Sequence, residues 1–186
     1  MSIISGVDEA GRGPLAGPVV AAAVILCDGG IVGLDDSKKL SAKRRAALEA
    51  QILASCIVGV GTASVAEIDE INILQATLLA MTRAVAALGI IPTHILVDGN
   101  RLPQWPHTAE AVIGGDAIHP CISAASIIAK EHRDRIMRAA AIKHPYFGWD
   151  RNMGYGTKEH IAALGKFGAT AFHRKSFAPV ARCAQR

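Results

Sequence analysis

Ten consecutive residues at positions 18–27, PVVAAAVILC, carry no charged side chain and constrain the fold more than any other stretch of this chain. A short apolar run bounded by turn residues is typical of a buried strand. Residues 2–8 and residues 57–64 (IVGVGTAS) follow similar patterns. We therefore predict three strands in this part of the chain.

Two further strands are predicted later in the chain, and both close on an acid. HILVDGN ends its apolar run at Asp98, and AEAVIGGD ends at Asp116. The hydrophobic pattern also predicts three helices, which run from a Ser41 cap to about Leu53, from about Ile71 to Gly89, and from about Ile122 to Ile142. The predicted order is β-β-β-α-β-α-β-α, in which the helix between the last two strands is left open. This order predicts a mixed α/β sheet.

Residues 143–186 differ in composition from the rest of the chain. They contain several turn signals, a short helix predicted to start near Thr157, and most of the aromatic residues. We predict a small C-terminal lobe here, following a main domain at residues 1–142.

Acids and bases are divided unevenly along the chain. Residues 1–129 hold 8 Lys and Arg against 12 Asp and Glu, whereas residues 130–186 hold 12 against 4. Such a division suggests an acidic working site beside a basic surface suited to polyanions. A merely solvated basic helix explains the charge equally well.

The N-terminus and the cysteines exclude several classes of protein. MSIISG has neither the basic region nor the long apolar run of a signal peptide, and no apolar segment reaches the roughly 18 residues of a membrane span. We therefore expect a cytoplasmic protein without a membrane partner. The four cysteines form no CxxC pair, which argues against a zinc site and a disulfide framework.

Acids follow three separate strand ends, namely Asp8 with Glu9, Asp98, and Asp116. Sites in α/β sheets are built at strand ends, so these side chains are predicted to converge. Two carboxylates about 5 Å apart repel by roughly 3 kcal/mol at an effective dielectric of about 20, and a divalent cation removes that cost. Oxygen ligands without a matching His or Cys cluster suit Mg²⁺ or Mn²⁺.

Each acid also has a purely structural explanation. Asp98 and Asp116 lie beside glycine, and either of them alone is explained as a turn residue. Asp8 and Glu9 are not needed to make a turn, and this third instance favours a site. Consecutive side chains of a regular strand point to opposite faces. Glu9 therefore joins Asp8 only if the glycines that follow let the chain twist after Asp8.

AGRGPLA also has some likeness to a dinucleotide-binding fingerprint. It contains G-x-G-x-x-A, and Asp35 and Asp36 follow about 20 residues later. That fingerprint needs a helix directly after the glycines, whereas Pro14, Pro18 and the apolar run favour a strand. The chain contains no HExxH and no GxSxG, so the signatures of zinc proteases and α/β-hydrolases are missing.

Nearly the whole chain carries a series of motifs in one order: GVDEAGRGPLAGPVV, GLDDSKKLS, EIDEINIL, LVDGN, GGDAIHPCISAASIIAKEHRDRIM, MGYGTKEH and FHRKSF. In this order they closely resemble the type 2 ribonucleases H, specifically bacterial ribonuclease HII. The resemblance implies an α/β, RNase H-like fold, a mixed sheet flanked by helices with a C-terminal helical extension. It also implies hydrolysis of RNA in RNA/DNA hybrids and incision on the 5′ side of ribonucleotides embedded in duplex DNA, leaving 3′-hydroxyl and 5′-phosphate ends. We expect a monomer.

Matched by position, the resemblance implies a catalytic, metal-binding set of carboxylates formed by Asp8, Glu9, Asp98 and Asp116. Two Mg²⁺ or Mn²⁺ ions roughly 4 Å apart would activate water and stabilise the leaving oxygen. Asp134 is a second-tier candidate on one helix face with Ser126 and Lys130. Its alternative role is to support the helix through Arg138 or Lys130.

The resemblance also implies residues that contact the substrate. Gly11, Arg12 and Gly13 are predicted to read the sugar, because a turn flanked by glycines lets the backbone approach a ribose 2′-hydroxyl. Tyr155 is assigned to packing on the deoxyribose beside the ribonucleotide, and a core tyrosine is the alternative. Three polar residues match positions that touch phosphates or sugars, namely Lys38, Lys39 and Asn72.

Two positions depart from the family's pattern. Gly114 stands where a lysine commonly precedes the Gly-Asp of the fourth acid, and Met153 stands where a lysine is often found. We expect some phosphate contact to be weaker. No carboxylate is lost, so activity is still expected.

Two other functions remain as hypotheses. One is a catalytically silent module that binds nucleic acid through the basic tail and still binds after metal is chelated. The other is a dinucleotide-dependent oxidoreductase, which requires saturable NAD(P) binding. The intact acid set favours the nuclease over the silent module.

Overall fold

Five strands form the sheet around which the chain folds. In the computed structural model, which describes residues 2–184, the strands are β1 (Ile4–Ala10), β2 (Val19–Ile25), β3 (Ile57–Ala63), β4 (His94–Asp98) and β5 (Ala109–Val112). They lie in the order β3-β2-β1-β4-β5. β2 is antiparallel to β3 and β1, and β4 is parallel to β1 and β5. The predicted mixed sheet is confirmed.

Helices cover both faces of this sheet. They are α1 (Ala42–Ser55), α2 (Val65–Ala86), α3 (Pro120–Lys143), α4 (Trp149–Asn152), α5 (Lys158–Phe167) and α6 (Ala178–Ala184). Alternate residues of β2 supply two cores, since Ala21 and Ala23 pack with α2 while Ala22 and Val24 pack with α1 and α3. This explains why the sequence of β2 is apolar throughout. Within residues 2–184 no helix is long and apolar enough to cross a membrane.

The helix predicted from Ser41 to about Leu53 is confirmed as α1, although the predicted order grouped three strands before the first helix. α1 lies between β2 and β3, and no helix lies between β4 and β5 in the described part of the chain. β5 ends at Val112, and Asp116 lies beyond it in a 3₁₀ turn, Gly115–Ala117. The predicted strand is therefore confirmed as β5, whereas its predicted end at Asp116 is wrong. Gly114, with φ of 66°, adopts a left-handed conformation that a strand does not continue through.

α2 begins earlier than predicted and contains a break. Ser64 and Glu67 form a capping box, in which the Ser64 N–H donates to Glu67 Oε2 at 2.8 Å. At Asn72 the backbone leaves the helical region, with φ of 68° and ψ of 165°. The Asn72 side-chain oxygen accepts a hydrogen bond from the Leu74 N–H at 3.0 Å, so Asn72 caps the second half of the helix. The predicted start near Ile71 corresponds to this second half.

The segment after α3 packs on the loop between β1 and β2. Ala16 shares a buried cluster with Phe147 and Trp149, and the Gly17 N–H donates to the Phe172 carbonyl at 2.8 Å. Thr157 caps α5, as predicted. These contacts join the C-terminal lobe to the loop that follows β1, whereas the domain division after residue 142 stays a prediction.

Candidate active site

The parallel register of β1 and β4 brings two predicted acids side by side. Val7 lies opposite Val97 in the ladder, and Asp8 and Asp98 are the next residues of the two strands. β4 ends at Asp98, whereas β1 continues to Ala10, so the predicted strand end at Asp8 is wrong. Neighbouring strands lie about 4.8 Å apart. Asp8 is only 5% exposed. The two carboxyl groups therefore share one buried end of the sheet.

Asp98 also positions the turn that carries Asp116. Asp98 Oδ1 accepts hydrogen bonds from the N–H groups of Gly115, at 2.7 Å, and Asp116, at 3.4 Å. Ser123 of α3 holds the same turn, because its hydroxyl donates to the Asp116 carbonyl at 2.6 Å. Asp116 thus reaches the site through a turn bound to Asp98 and not as the last residue of a strand.

Glu9 leaves β1 on the opposite side from Asp8. The strand pairs regularly with β2 as far as Ala10 opposite Val20, so the predicted twist after Asp8 does not occur. Glu9 still lines a cavity of about 300 Å³ and borders a smaller one together with Asp98. Its Oε1 accepts a hydrogen bond from Arg12 Nη1 at 3.4 Å. We call Asp8, Glu9, Asp98 and Asp116 the acidic edge.

The carboxyl groups of the acidic edge act on one another electrostatically. Burial raises the pKa of Asp8 well above its ordinary value, and the charges of Glu9 and Asp98 raise it further. Burial also raises the pKa of Glu9, where the lowering effect of Arg12 is opposed by Asp98. Burial, followed by the charge of Asp98, raises the pKa of Asp116. Asp98 is the neighbour common to the other three.

A divalent cation suits the chemistry of these groups. The acidic edge supplies only oxygen ligands, which Mg²⁺ and Mn²⁺ prefer, and a cation would relieve the repulsion that raises the pKa values. As the side chains stand, no three His, Cys, Asp or Glu residues within residues 2–184 are close enough to ligate one ion. Metal binding would therefore have to draw the carboxylates closer together.

Of the two predicted lysines, Lys38 faces the acidic edge. Burial alone would lower the pKa of Lys38, but the carboxylates of Asp36 and Asp8 raise it above its ordinary value. Lys39 instead contacts Asp35, with Nζ and Oδ1 3.4 Å apart. The structure thus brings one of the two lysines to the site.

Asp134 lies on α3 beneath the residues that line the cavity. Ser126 and Lys130 contribute to the cavity wall. Asp134 is 2% exposed, and its Oδ2 accepts a hydrogen bond from Lys130 Nζ at 2.5 Å. The contact is with Lys130 and not with Arg138. Asp134 Oδ1 has no hydrogen-bond partner among the residues that the structure describes, and Asp134 does not line the cavity.

The two glycines of the turn at residues 11–13 are required for different reasons. Gly11 has φ of +101°, and a Cβ there would lie 2.0 Å from Arg133 Nε. The fold itself therefore requires glycine at this position. A Cβ on Gly13 would meet only the Tyr155 ring, at 3.5 Å, which is an ordinary contact. The packing of the fold therefore does not by itself require glycine at position 13.

The remaining predicted substrate contacts are divided between the cavity and the surface. Tyr155 lines the cavity beside Gly13, and it is 51% exposed, so it is not a core tyrosine. Asn72 is exposed and uses its side-chain oxygen to cap α2. It does not line the same cavity. Its contact with substrate stays a prediction.

Two arginines that the sequence analysis assigned to the basic surface are buried behind this turn. Arg133 is 2% exposed and Arg174 is 0% exposed. Their guanidinium groups donate to backbone carbonyl groups within residues 11–18. Both occur in motifs noted in the sequence, KEHRDRIM and FHRKSF, but charge alone gave no sign that they are buried. The predicted basic surface therefore has two fewer cations.

Comparison with known proteins gives a consistent match. A family model described as Ribonuclease HII matches residues 5–180. Ribonuclease HII from Sphingopyxis alaskensis is 71% identical over 180 residues, covering 97% of this chain and 91% of that protein. Ribonuclease HII from Novosphingobium aromaticivorans is 61% identical over 188 residues, covering 95% and 96%. The crystal structure of ribonuclease H2 from Pyrococcus horikoshii OT3 gives a TM-score of 0.78 at 28% identity, covering 98% and 97%. The expected RNase H-like fold is confirmed.

Proposed function

Because the chain belongs to the ribonuclease HII family and is an endoribonuclease acting on RNA/DNA hybrids, we propose that its acidic edge cuts the RNA with the help of divalent metal. We further propose that it incises duplex DNA on the 5′ side of an embedded ribonucleotide and leaves 3′-hydroxyl and 5′-phosphate ends. One observation carries the proposal: Asp8 and Asp98 directly follow the last pair of the β1–β4 ladder, Val7 with Val97, and Asp98 holds the turn of Asp116.

The metal ligands in this proposal are the four residues of the acidic edge. A bound pair of Mg²⁺ or Mn²⁺ ions would supply activation of the attacking water and stabilisation of the leaving oxygen. The raised pKa values of Asp8, Glu9 and Asp116 support the assignment, because anionic groups that repel one another gain most from a cation. Lys38 carries a compensating positive charge towards the same groups.

Recognition of the sugar is proposed for the turn at residues 11–13 and for Tyr155. A Cβ at Gly13 would meet only the Tyr155 ring, which supports close approach of a ribose whose 2′-hydroxyl distinguishes RNA from DNA. The half-exposed Tyr155 ring lies next to Gly13 and offers a flat surface to the following deoxyribose. Action as a cytoplasmic monomer is part of the same proposal.

Replacing Asp98 with Asn tests the site. Loss of an outer partner of a metal ligand costs about 10–100-fold in activity or affinity, so loss of this ligand is expected to reduce cleavage by at least that factor. Cleavage of a duplex that contains one ribonucleotide would be measured with Mg²⁺ and with Mn²⁺. Circular dichroism would verify that the variant is folded.

Asp150→Asn is the matched control, because Asp150 is an exposed acid in α4, outside the acidic edge. It should cleave like the wild-type protein. Undiminished cleavage by Asp98→Asn would refute the site. Binding of hybrid without any cleavage by the wild-type protein, unchanged by chelation, would instead identify the silent nucleic-acid-binding module.

Matched duplexes with one ribose, four riboses or none define the substrate. The proposal predicts cleavage of the first two and none of the third. End analysis of the single-ribose product should place the cut on the 5′ side of the ribonucleotide. A cut at another position would refute the proposed specificity while leaving the nuclease assignment intact.

A further inference from the structure

The turn at residues 11–13 is shaped from behind by a side chain of the C-terminal lobe. Resting on the proposed function, we propose that Arg174 is a positioning residue that aims the backbone N–H groups of this turn at the ribose. Nothing in its sequence position suggests this, since it lies more than 160 residues from the turn.

Arg174 is fully buried and all three of its guanidinium nitrogens are engaged by backbone carbonyls. Its Nη2 donates to the Gly11 carbonyl at 2.6 Å, and its Nη1 donates to the Arg12 carbonyl at 2.9 Å. Its Nε donates to the Gly17 carbonyl at 2.9 Å. One planar group therefore ties both ends of the loop between β1 and β2.

The bonded carbonyls fix the direction of the neighbouring N–H groups. In a trans peptide the C=O and the following N–H point in opposite directions. When the carbonyls of Gly11 and Arg12 point at Arg174, the N–H groups of Arg12 and Gly13 point away from it. Within residues 2–184 neither of these two N–H groups donates to a protein acceptor. Both residues line the cavity, so two unpaired donors are left for a ligand there.

Arg133 holds the other half of the loop in the same way. Its guanidinium donates to the carbonyls of Pro18 and Ala16, each at 3.0 Å, and to the Met153 carbonyl at 2.9 Å. In the described residues neither Arg133 nor Arg174 forms an ion pair with an acid. Every hydrogen bond of the two guanidinium groups therefore goes to a backbone carbonyl, which supports a role in setting backbone geometry.

The position of Arg174 is itself fixed from two sides. The Arg174 N–H donates to the Leu15 carbonyl at 2.9 Å. Asp69 of α2 accepts hydrogen bonds from the N–H groups of Lys175, at 3.0 Å, and Ser176, at 2.8 Å. A lysine cannot replace the arginine, because its three donors radiate from one atom and do not span the separated carbonyls.

Arg174→Lys tests the proposal because it keeps the charge and removes the planar fork. With metal chelated so that no strand is cut, fluorescence anisotropy would measure affinity for a duplex with one ribonucleotide and for the same duplex without it. Hydrogen bonds to the 2′-hydroxyl predict a wild-type preference of about tenfold for the ribose duplex. Arg174→Lys should lose this preference and keep the affinity for the all-DNA duplex, which depends on phosphate contacts.

Arg182→Lys is the matched control, since Arg182 lies exposed in α6, and it should keep the wild-type preference. An unchanged preference in Arg174→Lys would overturn the proposal. Equal losses of affinity for both duplexes would also overturn it, because they indicate a general structural role. If the wild-type protein neither prefers the ribose duplex nor cleaves it, the proposed function is refuted, and this inference, which rests on it, is refuted as well.

Asp69→Ala provides a second variant if Arg174→Lys does not fold. Asp69 lies near the surface and anchors the backbone that follows Arg174, so its loss loosens the guanidinium without removing it. The preference for the ribose duplex should fall by a smaller factor than in Arg174→Lys. An unchanged preference in a folded Asp69→Ala variant would overturn the proposal.

Discussion

The acidic edge and the arginine-held turn beside it are both buried charged regions, but they are stabilised differently. At the acidic edge, burial raises the pKa of Asp8 and Asp116. Behind the turn, burial lowers the pKa of Arg133 to about 10 and of Arg174 to about 9. The guanidinium groups are surrounded by backbone carbonyls, whereas Asp8 and Asp116 are each next to the negative charge of Asp98. The buried charges behind the turn are therefore hydrogen-bonded within the chain, and the proposed function places cations at the acidic edge.

This difference separates stability from activity. Removing a charge from the acidic edge relieves repulsion. Such a variant should lose activity in the presence of metal, and without metal it should be no less stable than the wild-type protein. Removing a group from the turn leaves buried carbonyls without donors, which costs about 1–3 kcal/mol for each unsatisfied group. Loss of a guanidinium donor behind the turn should therefore affect stability and sugar recognition together.

Replacing each of the two glycines of the turn with alanine should give the largest effects on stability and on cleavage. Gly13→Ala should leave stability within about 0.5 kcal/mol of the wild-type value, because the added methyl group makes only an ordinary contact. It should reduce kcat/KM on the single-ribose duplex by about 10²-fold, because a shift of about 1 Å in the substrate has that effect.

Gly11→Ala, unlike Gly13→Ala, should lower stability. Its methyl group would overlap Arg133 at a left-handed backbone position, so we expect a loss of about 3 kcal/mol in the free energy of unfolding. Urea denaturation and single-ribose cleavage would be measured for both variants. Wild-type cleavage by Gly13→Ala would show that the space beside Gly13 is not used by the sugar.

A smaller effect is expected in the pH dependence of stability. In the metal-free protein Asp8 has a pKa above its ordinary value of 3.8. Between these two values the folded state binds more protons than the unfolded state, so the free energy of unfolding falls as pH rises. The destabilisation is absent below pH 3.8 and complete above the raised pKa. Asp8→Asn should therefore raise Tm relative to the wild-type protein at pH 7, and not at pH 3.

Glu67→Gln provides a control of opposite sign. Hydrogen bonds from Arg83 and Ser64 lower the pKa of Glu67 to about 2. Its stabilisation is present above its ordinary pKa of 4.5 and is lost as the pH falls through about 2. Glu67→Gln should lower Tm at pH 7. A Tm difference between Asp8→Asn and wild type that stays constant from pH 3 to pH 7 would contradict the repulsion at the acidic edge.

The sheet and two of the acids could be predicted because their signals are local. The apolar run of β2 marks a strand whatever lies around it, and Asp8 and Asp98 each directly follow a short apolar run, in β1 and β4. The sequence predicts Asp116 on a strand, because nothing in the apolar pattern indicates the left-handed conformation of Gly114. The break at Asn72 was missed for a similar reason, since its positive φ has no signature in the apolar pattern.

Arg133 and Arg174 could not be recognised from the sequence as positioning residues. A cationic side chain is most often exposed, and the basic tail therefore predicts a surface. The carbonyls that accept from Arg174 come from a loop far away in the chain, so the fold is needed to see them. Gly11 and Gly13 also look alike in the sequence, and only the position of Arg133 separates their roles.

Titration with Mn²⁺ tests the central claim most directly, namely that acids from separate elements form one metal site. Free Mn²⁺ would be followed by electron paramagnetic resonance for the wild-type protein, Asp8→Asn, Asp116→Asn and the control Asp150→Asn. We expect both acidic-edge variants to bind Mn²⁺ at least about tenfold more weakly than wild type, with Asp150→Asn unchanged. Wild-type Mn²⁺ affinity in Asp8→Asn and Asp116→Asn would contradict a shared site.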